Sequence, residues 1–199
     1  MYLFQNQTAA KEYFQGVLPE DQEILVMEDD PFLPVRMYSI YEYYLRQIFG
    51  ENEPYRDIYF PFVQIPDGWQ IRGYADRRAK ICNEGKVRGY IWIRQPYENG
   101  FVSHIDWQDK EERKVQTDFY NRCGYVWKKI YADEICQEKL ISYYTHTGSE
   151  WLLINQSNGT AMLYEQGRLT GCFGSIREME EELVRILSRH IQIDDRRDR

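Results

Sequence analysis

From residue 57 onward the apolar positions recur at every second residue, and the alternation runs to residue 173 with breaks only at turn-forming clusters. Side chains spaced this way line opposite faces of a strand. The runs 58–65, 69–74, 77–83 and 87–94 are predicted as strands. Between them, Pro66-Asp67-Gly68 and Asn83-Glu84-Gly85-Lys86 tolerate the dihedrals of tight turns. After Glu98-Asn99-Gly100 comes the stretch 103–131. In it, strands 101–107 and 114–120 flank a charged tip, and Asn121-Arg122-Cys123-Gly124 turns into a third strand. Further strands are predicted at 139–146, 151–155, 160–164 and 168–173, with Asn158-Gly159 as a two-residue hairpin turn. Loops this short cannot carry parallel crossovers, so the pattern gives about ten strands in an up-and-down antiparallel sheet.

The ends of the chain follow another period. Residues 2–4 and 24–27 are short apolar strands, and residues 8–18 between them carry Tyr13, Phe14, Val17 and Leu18 at helical spacing. This β-α-β opening is the start of a parallel unit that no second such unit follows at once. Pro31 and Pro34 hold the next segment extended. Ser39-Ile40-Tyr41-Glu42 then forms a capping box for a helix with Tyr41, Tyr44, Leu45 and Ile48 on one face, ended by Gly50. A second box, Ser175-Ile176-Arg177-Glu178, opens a helix with the stripe Ile176, Met179, Leu183, Ile186, Leu187 and His190. Residues 191–194 are a candidate further strand. The expected fold class is therefore α+β, with a large antiparallel meander inserted in a partial β-α-β, Rossmann-like unit and an amphipathic C-terminal helix. The expected division is residues 1–56 with 174–199 for the α/β unit and 57–173 for the sheet.

Composition sharpens this picture. Seventeen Tyr, nine Phe and five Trp in 199 residues suit a pleated surface better than a helical bundle. A net charge of −7 argues against neutralising phosphates over a broad surface, so nucleic acid is not an expected partner, although a local basic patch is compatible with it. The mixed tail from Arg196 is expected to be a solvated end. With no basic-then-apolar leader and no apolar run long enough to span a bilayer, the expected location is cytoplasmic, with the inner membrane face as a peripheral site. Cys82, Cys123, Cys136 and Cys172 show no CxxC spacing and are expected to stay reduced. The sequons at Asn6, Asn155 and Asn158 then carry no glycan.

Chemistry-bearing clusters are sparse. Asp106 and Asp109 at a strand end, and Glu28-Asp29-Asp30, are candidate metal ligands, but solvated carboxylates at a turn explain them more simply. His104, His146 and His190 do not combine with Cys123 or Cys136 at any ligand spacing. No G-x-S-x-G, P-loop or G-x-G-x-x-G is present, so no catalytic residue, metal or cofactor is assigned. The aromatics admit either core packing or an exposed platform. Strand alternation puts Tyr90 and Trp92 on one face and sends Tyr143 and Tyr144 opposite ways. An exposed aromatic face on such a chain marks a partner interface.

Four stretches in order carry a resemblance: Pro31-Phe32-Leu33-Pro34 with the Ser39-Ile40-Tyr41-Glu42 helix; Ile58-Tyr59-Phe60 through Ile65-Pro66 to Trp69-Gln70-Ile71; His104-Ile105-Asp106-Trp107-Gln108-Asp109; and Phe119-Tyr120-Asn121-Arg122-Cys123-Gly124. Together they resemble the stabilising, chaperone-like subunit of the two-subunit O-GlcNAc transferase that modifies serine-rich adhesins of the accessory Sec system. The resemblance implies a glycosyltransferase fold of the two-Rossmann-domain type, with a sheet module inserted in its first domain. Similar sheets occur in some wall teichoic acid glycosyltransferases. Such proteins continue into a second domain, which holds most of the sugar-nucleotide site, so a non-catalytic role is expected here. The implied partner is a catalytic glycosyltransferase subunit met through the sheet. A Ser-rich acceptor polypeptide and a second copy of the sheet are further candidates. Tyr90, Trp92, His104, Asp106, Trp107, Tyr120 and Asn121 are the interface candidates. A carbohydrate- or acceptor-peptide-binding module, and the N-terminal part of a glycosyltransferase itself, remain alternatives.

Overall fold

The computed structural model describes residues 1–19, 21–75, 77–133 and 138–197. The chain divides into two compact units, Met1–Asn52 with Ile176–Arg199, and Glu53–Ser175. In the first, strand β1 (Tyr2–Phe4) leads into helix α1 (Gln7–Tyr13). The free amides at the start of α1 are met by side chains. Asn6 Oδ1 accepts from Ala9 N at 2.8 Å, and Glu28 Oε2 from Gln7 N at 3.0 Å. Helical spacing predicts this helix through residue 18, but it ends at Tyr13. Gln15 and Gly16 turn left-handed there, and Gly16 N closes onto Lys11 O at 2.7 Å.

Strand β2 (Ile24–Val26) pairs parallel with β1, and β3 (Met37–Ser39) pairs parallel with β2. The apolar pattern does not predict β3, because three residues behind two prolines are too few to show a period. Ser39 Oγ accepts from Tyr41 N at 3.3 Å and caps helix α2 (Ile40–Ile48), which buries Tyr41, Tyr44 and Leu45 as its spacing requires.

The second unit is one ten-stranded antiparallel sheet whose spatial order follows the chain. Its strands are β4 (Gln70–Ala75), β5 (Arg78–Asn83), β6 (Lys86–Ile93), β7 (Val102–Gln108) and β8 (Lys114–Tyr120). They continue as β9 (Val126–Asp133), β10 (Glu138–Tyr144), β11 (Glu150–Asn155), β12 (Thr160–Glu165) and β13 (Arg168–Phe173). Glu84-Gly85 and Gln166-Gly167 take positive φ at both residues, the geometry that matches strand twist in a two-residue hairpin. Asn158-Gly159 does not. Asn155 pairs with Thr160 across a four-residue loop, and the Asn158 carboxamide accepts from Thr160 N at 3.0 Å rather than entering the left-handed region.

Residues 58–65, predicted as a strand, are irregular. Pro61 lacks a ladder donor, Phe60–Phe62 is a 3₁₀ turn, and pairing is reduced to a single bridge from Tyr59 to Phe101. The segment instead covers one sheet face. Val63, with half-buried Ile58, Phe60 and Ile65, packs on Ala79, Ile81, Ile91, Ile93, Val102, Ile105 and Tyr120. Each large apolar side chain enclosed this way stabilises the fold by roughly 1.5–3 kcal/mol.

The chain then returns to the first unit. Helix α3 (Ile176–Leu187) buries Met179, Leu183 and Leu187, and Tyr41 Oη donates to Glu180 Oε1 at 2.8 Å. His190, predicted on the buried stripe, lies past the last turn and is exposed. Strand β14 (Asp194–Asp195) pairs parallel with β1, giving a four-stranded parallel sheet in the order β14-β1-β2-β3. Phe4, Ala10, Ile24, Val26, Leu33 and Met37 form a core there.

Candidate functional site

Register decides which side chains share a face. Across β5 to β9 one row reads Arg78, Trp92, His104, Phe119, Lys128. The neighbouring row, from β4 to β8, reads Arg72, Lys80, Tyr90, Asp106, Thr117. Both rows lie opposite the face that residues 58–65 cover, because their neighbours Ala79, Ile81, Ile91 and Ile105 are the ones turned into the core.

The first row is a continuous stack. The Trp92 and His104 rings lie 5.8 Å apart at 16°, and His104 and Phe119 lie 5.3 Å apart at 27°. A cation closes each end. The Arg78 guanidinium is 5.3 Å from the Trp92 centroid and 4.5 Å from that of Tyr90, and the Lys128 ammonium is 4.6 Å from Phe119. Rings stacked face to face present their edges outward. Burial between two rings holds the His104 imidazole below its usual pKa, Lys114 adds to the effect, and Asp106 opposes it.

Asp106 anchors the second row. It accepts from Trp92 Nε1 at 2.9 Å and Thr117 Oγ1 at 2.7 Å, and Lys114 Nζ stands 3.4 Å away. The covered face repeats the device, with Trp107 Nε1 donating to buried Asp118 at 2.8 Å and Gln116 Nε2 donating at 2.5 Å. Tyr120, on that same face, is buried, and burial together with Asp118 raises the pKa of its hydroxyl.

Of the residues singled out from sequence, Tyr90, Trp92, His104 and Asp106 thus meet on the open face. Trp107 and Tyr120 belong to the covered one. Asn121 lies in the β8–β9 turn, where its Oδ1 accepts from Cys123 N at 3.1 Å and Tyr125 N at 3.4 Å. Arg72, Arg78, Lys80, Lys114, Thr117, Phe119 and Lys128 complete the open face and were not among those residues. Strand alternation carries all of them but Lys114 to the right parity; Lys114 has the parity of Asp118 and Tyr120 and meets Asp106 only because the register shifts between Trp107 and Gln108.

The other candidate clusters separate. Asp109 is engaged by Arg113, at 2.8 Å from Nε, apart from Asp106. Glu28 caps α1, and Asp30 Oδ1 accepts from Phe32 N at 2.8 Å. Among the described residues, no three His, Cys, Asp or Glu side chains are placed to hold a metal ion. Cys82 and Cys172 are free thiols, Cys123 Sγ donates to Glu53 O at 3.3 Å, and Cys136 lies outside the described residues. No helix among the described residues is long and apolar enough to cross a membrane.

On the covered side a cleft of about 380 Å³ opens beside the end of segment 58–65, lined by Phe62, Tyr120, Tyr125, Lys129, Tyr144 and His146 among others. Tyr131 and Tyr144 share a hydroxyl contact of 3.2 Å, and Lys129 lies 5.3 Å from the Tyr144 ring. Sequence reading did not find this cleft, since its lining comes from segments far apart in the chain.

Residues 69–174 match the family model of the GtfB middle domain. The chain is 30% identical over 145 residues to the UDP-N-acetylglucosamine--peptide N-acetylglucosaminyltransferase stabilizing protein GtfB of Streptococcus parasanguinis, covering 73% of this chain and 32% of that protein. It is also 30% identical over 139 residues to the Streptococcus agalactiae protein of the same name, covering 70% of this chain and 30% of that one. It thus spans about a third of the length of these relatives. Among solved structures, a GtfA/B complex bound to UDP and GlcNAc superposes with a TM-score of 0.76 at 24% identity, over 97% of this chain and 42% of that one. The accessory secretory protein 1, 2 and 3 structure of Streptococcus pneumoniae superposes with a TM-score of 0.71 at 13% identity, over 92% and 38%. At these identities the superpositions speak to the fold.

Proposed function

The chain belongs to the GtfB middle domain family, and from that premise we propose that it serves as a non-catalytic stabilising element of a protein O-glycosylation complex. In this reading the unit Glu53–Ser175 is an assembly module. It pairs through its sheet with a catalytic N-acetylglucosaminyltransferase subunit acting on serine-rich acceptors in the cytoplasm. The parallel unit is the Rossmann-like frame that carries the module.

The observation that carries the reading is the open face of β5 to β8, where Trp92, His104, Phe119 and Asp106 are immobilised by one another. Such preordered aromatic surface loses little side-chain entropy when a partner covers it. A second observation bears on catalysis. In nucleotide-binding folds the strand-to-helix turn offers its amides to a phosphate. Here the chain's own Glu28 carboxylate and the Asn6 carboxamide take that place at α1.

Mixed with a cognate catalytic subunit, the protein is expected to elute as a stoichiometric complex in size-exclusion chromatography with light scattering. Separate elution of the two at micromolar concentration would overturn the proposal. The tyrosine-lined cleft favours one alternative, a carbohydrate- or acceptor-peptide-binding module, since rings and hydroxyls together suit a saccharide or a Ser-rich strand. Titration calorimetry with bare and GlcNAc-bearing Ser-rich peptides separates the two, because the alternative requires heat that Tyr144→Ala abolishes.

A further inference from the structure

The charge of the chain is unevenly spread. Overall it is −7, yet the open face of β4 to β9 carries Arg72, Arg78, Lys80, Lys114 and Lys128 against one carboxylate, Asp106, among the described side chains. That carboxylate is already committed to Trp92, Thr117 and Lys114. Lys128 is buried at the far end of the ring stack. Arg72, Arg78, Lys80 and Lys114 outnumber that one carboxylate and leave a net positive field over the accessible part of the face.

We propose that this face docks an acidic, extended polypeptide segment, its carboxylates meeting Arg72, Arg78, Lys80 and Lys114 around the edges of the Trp92–His104–Phe119 stack. The inference rests on the assembly reading above and names the chemistry of the partner's surface.

Three features select this occupant. The three stacked rings turn their faces to one another and to Arg78 and Lys128, so none of the three offers a face for a base or a sugar to stack upon. What they offer instead is their edges, the positive rim of the aromatic quadrupole, which suits an anionic oxygen. Spacing is the third feature. Arg78 and Lys80 stand two residues apart on β5, and Arg72 pairs with Lys80 across to β4. Along a strand that separation is roughly 6.6–6.8 Å, the repeat at which alternate side chains of an extended peptide project from one side. A peptide with acidic residues at alternate positions therefore matches Arg78 and Lys80 in register.

The test uses the whole chain at low ionic strength, titrated calorimetrically with a synthetic peptide of alternating Glu and Ser. Parallel titrations use the Lys-Ser peptide, inorganic polyphosphate and phosphatidylglycerol vesicles. Saturable binding of the Glu-Ser peptide alone is expected. It should weaken roughly tenfold in a Lys80→Ser, Lys114→Ser double variant and fall with added salt. Both residues are exposed, and an unchanged thermal melt certifies that the variant is folded. Absence of binding, equal binding by the variant, or binding of polyphosphate or vesicles in preference to the peptide overturns the proposal. So does self-association that the same variant dissolves, since a second copy would then be the occupant. Failure to form a complex with the catalytic subunit while the peptide binds would instead count against the assembly reading alone.

Discussion

Single residues on the two faces of the β7–β8 hairpin make parallel commitments with different consequences. Asp106 and Asp118 each accept an indole N–H, from Trp92 and Trp107, but Asp118 is buried whereas Asp106 is only half so. Asp118→Ala strands two half-buried donors beside a buried site and is expected to cost about 2–3 kcal/mol, against about 1–2 kcal/mol for Asp106→Ala, both read from urea denaturation. His104 adds a pH dependence whose sign follows from its environment. Its imidazolium is disfavoured in the folded state, so below its usual value of 6.5 the unfolded chain binds more protons and stability declines as pH falls. Urea midpoints at pH 7.5 and 5.5 should differ in that direction. His104→Phe, which keeps a ring in the stack, should shrink the difference. The carboxylates and indoles of this network are plain in the sequence, whereas their pairing depends on a cross-strand register that spacing does not encode.

At the scale of elements, the hairpins were legible because turn residues announce them, while segment 58–65 was not. Its alternation of Ile58, Phe60 and apolar neighbours is a strand pattern, but Pro61 and Pro66 withhold ladder donors and leave the segment to pack as a cover instead. That cover depends on a close approach at the β8–β9 turn. Gly124 has φ +79°, and a Cβ there would stand 2.3 Å from Arg56 O. Arg56 N in turn donates to Arg122 O at 2.7 Å. Gly124→Ala is expected to destabilise the protein by roughly 1–3 kcal/mol and to raise hydrogen exchange across residues 56–65. Unchanged exchange there would disconnect the turn from the cover. In the parallel unit, Leu183→Ala should cost about 2–5 kcal/mol in a denaturant titration, since its side chain is fully enclosed.

For the whole molecule, the two units differ in the extent of their pairing, and their exchange behaviour should differ with it. Strands β6, β7 and β8 are seven or eight residues long and paired on both sides. Strand β14 is a two-residue edge. Amides of β6 to β8 are expected to exchange slowest in mass-spectrometric hydrogen exchange and those of β14 among the fastest. Fold class, the order of strands in the meander and the opening β-α-β unit followed from the sequence alone. Periodicity and turn chemistry are local, and an antiparallel meander pairs each strand with its neighbour in the chain. Tertiary structure alone decided the rest: β3 and β14 as members of a parallel sheet, Trp107 and Tyr120 on the covered face, and a basic, ring-stacked face on a chain whose net charge is negative. Those outcomes rest on register and long-range pairing, where a shift of one residue sends every side chain to the opposite face.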